Sequence, residues 1–121
     1  MATLHSKSFD KPDETRPFKG HGHLDLLKFD EQHSVGRAEF EPGWKWSVDV
    51  KPIAGTQSCL SEHIGTCLAG RMVIHMDNGE EFTVKAGDAY YIQPGHDAWT
   101  VGNERCVMID VTGFREYAKK H

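Results

Sequence analysis

The residues best able to do chemistry here are imidazoles, thiols and carboxylates, and the clearest of them is His96. It follows the stretch Gly87-Asp-Ala-Tyr-Tyr-Ile-Gln-Pro-Gly95. A Gly-Asp turn leads into an apolar run, and a Pro-Gly turn delivers the histidine on its far side. A small antiparallel barrel aims an imidazole at its interior in this way. The chemistry is that of a metal or small-molecule site. The candidate ligands are His63, His96, Asp49 and Cys59, and the candidate proton-handling groups are Asp49 and Tyr91. Two histidines with one carboxylate suit non-haem Fe(II) or Mn with open positions. Histidine with cysteine leans to Zn or a softer ion. The expected cofactor is therefore a divalent metal: Fe, Mn, Zn or Ni.

Each candidate has a plainer alternative. His63 and His96 could be barrel-lining histidines bonded to backbone or water, although a buried imidazole needs partners. Asp49 shares a strand face with Lys45 and Ser47, so it is either half of a solvated Asp/Lys pair or a carboxylate at the barrel mouth. Cys59 precedes His63 by four residues. That is roughly 13 Å along a continuous strand, so only a bulge or a bend could bring the two together. A Cys59/His63 nucleophilic dyad is a further possibility on paper. Cys67 has the parity of His63 and reads as a small lining hydrophobe. Cys106 opens an apolar strand and reads as core. His75 points outward, opposite Met72, Ile74 and Met76. His21-Gly-His23 has the spacing of a strand chelate but precedes the barrel pattern, so it reads as a surface pair. Tyr90 and Tyr91 have opposite parity, so only one can line the interior. Trp44, Trp46 and Trp99 read as packing or dimer contacts.

These residues need elements to position them. The chain has 121 residues and a formal charge of −4, which allows one domain with one core. There is no basic stripe, so nucleic acid is not the expected partner. No run approaches ~18 apolar residues, so no membrane span is expected. Three cysteines at wide spacing, with no apolar leader, point to reduced thiols and a cytoplasmic protein. Phosphate-loop, Gly-x-Gly-x-x-Gly, Gly-x-Ser-x-Gly and Cys-x-x-Cys motifs are absent.

Residues 1–20 read as an extended arm and residues 21–121 as the barrel. Strands are expected at Leu24–Phe29, Ser34–Phe40, Trp44–Val50, Cys59–Leu68, Met72–Met76, Glu80–Val84, Ala89–Ile92, Trp99–Val101 and Cys106–Val111. Residues 51–58 read as a loop. Trp44–Val50 alternates strictly, apolar at 44, 46, 48 and 50. Asn78-Gly79 supplies the two positive-φ positions of a type I′ hairpin. A short C-terminal helical turn is expected from Phe114. Many short strands between Gly/Pro turns mean an all-β sandwich or barrel.

At this point the chain resembles the cupins, the small jelly-roll barrels. Against the second cupin motif, Gly87, Gln93, Pro94 and Gly95 align, with Gln93 where proline is usual. The motif's histidine place falls on Ala98 and its asparagine place on Gly102. His96 lies one strand period before Ala98. Against the first motif, counting from Gly43 puts Asp49 and Lys51 at the two histidine places, and counting back from Gly70 puts His63 at the glutamate place. The phrases Cys59…His63-x-Gly65, Gly70-Arg-Met72, Asp77-Asn-Gly79 and Pro94-Gly-His-Asp-Ala-Trp99 are similar to small single-domain bacterial cupins. The resemblance implies a double-stranded β-helix of RmlC-like type, with His63 and His96 on strands that the fold brings together. It also implies a metal-binding barrel with a small-molecule pocket, acting as a metal-dependent oxygenase, isomerase or lyase on a small polar organic molecule. The alternative is a non-catalytic metabolite-binding or sensor barrel. A scaffold is a third possibility. A homodimer is expected, since pairing would cover the edge strands.

Overall fold

The computed structural model describes residues 4–112. Nine strands and two helical turns follow in order: β1 (Glu14–Pro17), β2 (Gly22–Lys28), β3 (Ser34–Phe40), α1 (Trp46–Asp49), α2 (Lys51–Ala54), β4 (His63–Ala69), β5 (Arg71–Met76), β6 (Glu81–Lys85), β7 (Ala89–Ile92), β8 (His96–Thr100) and β9 (Cys106–Thr112). They form a six-stranded sheet, β1-β2-β3-β9-β4-β7, and a three-stranded sheet, β6-β5-β8. Every pairing is antiparallel. This is the jelly-roll architecture of a double-stranded β-helix.

Strand periodicity sets the two faces. On β4, His63 and Cys67 are buried while Ile64 and Leu68 are exposed. On β8 His96 and Ala98 face in, and on β9 Cys106, Met108 and Asp110 do so. Met72, Ile74 and Val84 meet them from the smaller sheet in one continuous core. At the N-terminal end β1 pairs with β2 as an edge strand, and Phe18 enters the core to stack on Phe40 at 5.5 Å.

Two local readings of the sequence are corrected. Trp44–Val50 is not a strand. After Trp44 the chain coils into α1 and α2, and residues 51–54, read as loop, are helical. The buried apolar positions are Trp46, Val50 and Ala54, spaced i, i+4, i+8 as one helical face requires. Val48, the other apolar residue of the alternating pattern, is exposed. Asp49 stabilises α1 by reaching back: its Oδ2 accepts the Lys45 N–H at 2.9 Å, as the acid of a capping box does. Asp97 on β8 accepts the Ser47 N–H at 3.1 Å, tying the same turn to the barrel.

The hairpin between β5 and β6 is also not type I′. Gly79 alone takes a positive φ, 96°, and Asn78 does not. The Gly79 N–H bonds to Met76 O at 2.9 Å and the Met76 N–H to Glu80 O at 2.8 Å. Asp77, Asn78 and Gly79 thus form a three-residue loop, a type I turn closed by a left-handed glycine. The expected C-terminal helical turn lies outside the described residues.

Candidate metal centre

Three buried side chains converge inside the barrel. One ligand atom from each of Cys59, His63 and His96 lies within 4.8 Å of the others. Their convergence rests on an interrupted strand. Cys59 stands outside β4 and forms an isolated bridge with His96. The Cys59 N–H bonds to His96 O at 2.8 Å, and the Gly95 N–H bonds to Cys59 O at 2.7 Å. Residues 60–62, outside any strand, then lead into β4, which starts at His63. The expected continuous strand from Cys59 is therefore broken, and the thiol comes to 3.7 Å from His63 Nε2. The rings of His63 and His96 lie with centroids 5.4 Å apart.

Each imidazole is held by its other nitrogen. His96 Nδ1 donates to Gln93 O at 2.8 Å. His63 Nδ1 donates to Asp110 Oδ2 at 2.6 Å, and the Tyr90 hydroxyl donates to Asp110 Oδ1 at 2.8 Å. A carboxylate behind a histidine fixes the ring's tautomer and raises its basicity as a ligand. Gly65 keeps this relay possible. A Cβ there would lie 2.2 Å from Ile109 O, 2.5 Å from Asp110 Oδ1 and 2.7 Å from the Tyr90 hydroxyl.

Burial and pairing act against each other on these groups. Burial works to raise the Cys59 thiol, but His63 and then His96 outweigh it and bring the group down to about 6. Burial works to lower His63, and the Asp110 and Cys59 hydrogen bonds carry it up to about 9. Burial raises the Asp110 carboxyl, with His63 and Tyr90 pulling the other way. Burial, and then the neighbouring Asp110, push the Tyr90 phenol up. Each of Cys59 and His63 thus favours the charged form of the other.

The donor set fits a metal ion. Tetrahedral coordination by a thiolate and two imidazoles calls for about 3.6 Å between sulfur and nitrogen, and about 3.3 Å between the nitrogens. The observed 3.7 Å between Cys59 Sγ and His63 Nε2 matches the first. Three protein donors leave a fourth position open, as in catalytic rather than structural zinc sites.

Beside the cluster lies a small cavity of about 30 Å³, open on one side. His63, His96 and Tyr90 share its wall with Phe40, Trp44 and Met108, among other apolar residues. Trp44 is 1% exposed, and its Nε1 is the one buried side-chain nitrogen or oxygen without a hydrogen-bond partner among the described residues. An orphaned buried donor costs about 1–3 kcal/mol.

Two sequence candidates stand elsewhere. Asp49 is buried, but its carboxylate is occupied at the foot of α1 by the Lys45 amide and by His21 Nδ1 at 3.0 Å. It belongs to a helix and not to the strand on which a barrel-mouth position was expected. Tyr91 is 54% exposed on the outer face, its hydroxyl donating to Glu62 Oε2 at 3.3 Å. Tyr90 is the tyrosine that faces in. His75 is exposed beside Glu81, Cys67 and Cys106 are buried, and His21 is tied to Asp49. Sequence reasoning missed Asp110 and Trp44. Asp110 had a signal: a lone acid at the parity of Cys106 and Met108 in an apolar strand. Trp44 was read only as a packing or dimer contact.

Comparison with known proteins agrees with this architecture. Residues 60–112 match the family model described as the cupin domain. An RmlC-like cupin from Shewanella frigidimarina superposes with a TM-score of 0.64 at 16% identity, over 94% of this chain and 95% of that one. A sugar phosphate isomerase from a cupin superfamily, from Silicibacter pomeroyi, gives 0.65 at 16% identity, over 90% and 75%. The polyketide cyclase RemF from Streptomyces resistomycificus gives 0.65 at 17% identity, over 92% and 80%. The sequence has no significant match among curated proteins. The C-terminal part of the chain, residues 60–112, thus matches the cupin domain, and the chain as a whole has the cupin-like double-stranded β-helix fold. At these identities the structural neighbours speak for the fold alone.

Proposed function

We propose that this protein binds a divalent metal through Cys59, His63 and His96 and takes a small organic ligand in the adjoining cavity. The observation that carries the reading is the buried convergence of the three donors beside an open cavity. With Asp49 elsewhere, the donor set is two histidines and a cysteine. That favours Zn among the ions considered, and it disfavours Fe(II) and Mn, which suit a carboxylate in the set. A bound cation supplies Lewis acidity to an oxygen at its open position. The chain's own residues do the rest. Asp110 and Gln93 orient the two rings, the aromatic wall excludes water, and the thiolate lowers the site's net charge. The lining is mainly apolar, which suits a small organic molecule whose polar group meets the metal. Isomerase or lyase chemistry fits a Lewis-acid centre better than oxygenation.

Metal analysis of untagged protein, beside a His63→Ala/His96→Ala double variant, tests the site. About one ion per chain is expected in the parent and none in the variant. Equal content in both would sink the metal reading.

A second reading, a non-catalytic binding or sensor barrel, is favoured by one observation. Neither candidate proton carrier, Asp49 or Tyr91, faces the cavity. Thermal shifts across metals and a metabolite panel separate the two: stabilisation by metal and metabolite together supports the enzyme, and by metabolite alone the sensor.

The proposal extends to setting and assembly. Three free buried thiols suit a reducing, cytoplasmic compartment. No helix among the described residues is long and apolar enough to cross a membrane. A homodimer is supported by Ile64, Leu68, Tyr91 and Val111, which are exposed on outward positions of β4, β7 and β9.

A further inference from the structure

The wall of the cavity is built from the sheets themselves. Phe40 comes from β3 and Met108 from β9 of the larger sheet, Ile74 from β5 and Ala98 from β8 of the smaller one. Strands β3 and β9 are paired with each other, and so are β5 and β8. Trp44 also lines the cavity, wedged against Phe40 at 4.4 Å and Phe18 at 5.9 Å between centroids. Widening the space therefore means repacking a close-packed core. The space itself is about 30 Å³. One water molecule needs about 10–15 Å³ by this measure, so the cavity takes about two or three non-hydrogen atoms.

That volume limits what the proposed centre can take. His63 and His96 stand in the same wall, so a molecule at the open metal position lies in the cavity. The titratable groups of the wall are already engaged. His63 Nδ1 and the Tyr90 hydroxyl donate to Asp110, and His96 Nδ1 donates to the Gln93 carbonyl. Attachment therefore falls to the metal, and the rest of the molecule meets apolar side chains. We propose that the ligand is a one- or two-carbon oxygen compound bound through its oxygen: a short aldehyde or alcohol, or the one-carbon acid. Each has at most about three non-hydrogen atoms, the number the cavity admits. A longer chain would overpack the wall. The inference deepens the metal-and-ligand reading and rests on it.

The test uses two homologous series, one charged and one neutral: formate, acetate, propionate and butyrate, and the four matching amides from formamide to butyramide. Each is titrated into cobalt-substituted protein, whose visible spectrum reports a change at the metal. In a roomy apolar site every added methylene strengthens binding about fourfold. Here the first member of at least one series should bind, and affinity should gain nothing from the second member to the fourth. Met108→Ala enlarges the cavity, so in that variant the longer members should gain about fourfold per methylene with metal content unchanged. Affinity that climbs through the series in the parent, or no binding by any member, would overturn the proposal. So would a metal-loaded variant that keeps the limit of the parent. The parent series decides alone if the variant does not fold. Metal content of the parent beside the His63→Ala/His96→Ala variant separates the two failures. Equal metal content in both overturns both readings, and a metal-loaded parent whose affinity climbs overturns only this one.

Discussion

Asp110 is the residue on which the proposed metal centre most depends without being a donor. It holds His63 in place and is itself held by Tyr90. Asp110→Asn keeps the shape but removes the charge behind the imidazole. Zinc affinity should fall about 10–100-fold, measured by competition with a chelator, and an unchanged affinity would remove Asp110 from the site. The same residues set a pH dependence. Metal displaces protons from its ligands, and Cys59 and His63 hold theirs up to about 6 and about 9. Between those limits one proton leaves His63 for each ion bound, so apparent affinity from these groups rises about tenfold per pH unit. Below the lower limit Cys59 is protonated as well, and the slope steepens to two protons. Above the upper limit the slope vanishes. A zinc titration repeated across this range should show both breaks. At this scale the sequence was half legible. His63, His96 and Cys59 stood out by type and by the cupin resemblance. Asp110 did not, because an acid becomes a relay only when distant partners such as Tyr90 and His63 arrive on neighbouring strands.

Among elements, β3 and β5 to β7 follow closely from alternation and turn residues, whereas α1 does not. Strict alternation at 44, 46, 48 and 50 pointed to a strand because both periods put residues 46 and 50 on one side. Residue 48 distinguishes them, buried in a strand and exposed in the helix that forms. Pro52 in the first turn of α2 was the local sign of a helix, and it was read as loop punctuation. Asp49→Ala should therefore behave as a lost helix cap. It should cost about 1–2 kcal/mol in chemical denaturation with metal content unchanged, and loss of metal would return Asp49 to the ligand set. Gly65→Ala makes the opposite case, a strand position whose φ is ordinary but whose space is occupied by the relay. Overpacking there should cost about 1–3 kcal/mol and lower metal affinity as well. A neutral result on both counts would mean that Asp110 can relax elsewhere.

For the whole molecule, an ion bound only by the folded barrel must stabilise it. At a free zinc concentration a hundredfold above the dissociation constant, the gain is about 2.7 kcal/mol, or a rise in Tm of roughly 10 °C for a domain of this size. A chelator should reverse it, and a melting curve indifferent to both would contradict the site. Sedimentation should give the mass of two chains, and substituting Ile64 and Leu68 with glutamate should give one. The fold itself was the most legible property, since it rests on alternation repeated over many strands. The bridge between Cys59 and His96 was invisible, because residues 60–62 carry no pattern that announces a break in the strand. That bridge also separates the history of the shell from that of the centre. Lengthening or shortening those three residues should leave both sheets standing while dispersing the three donors, so the proposed ion site and the walls around it are separable.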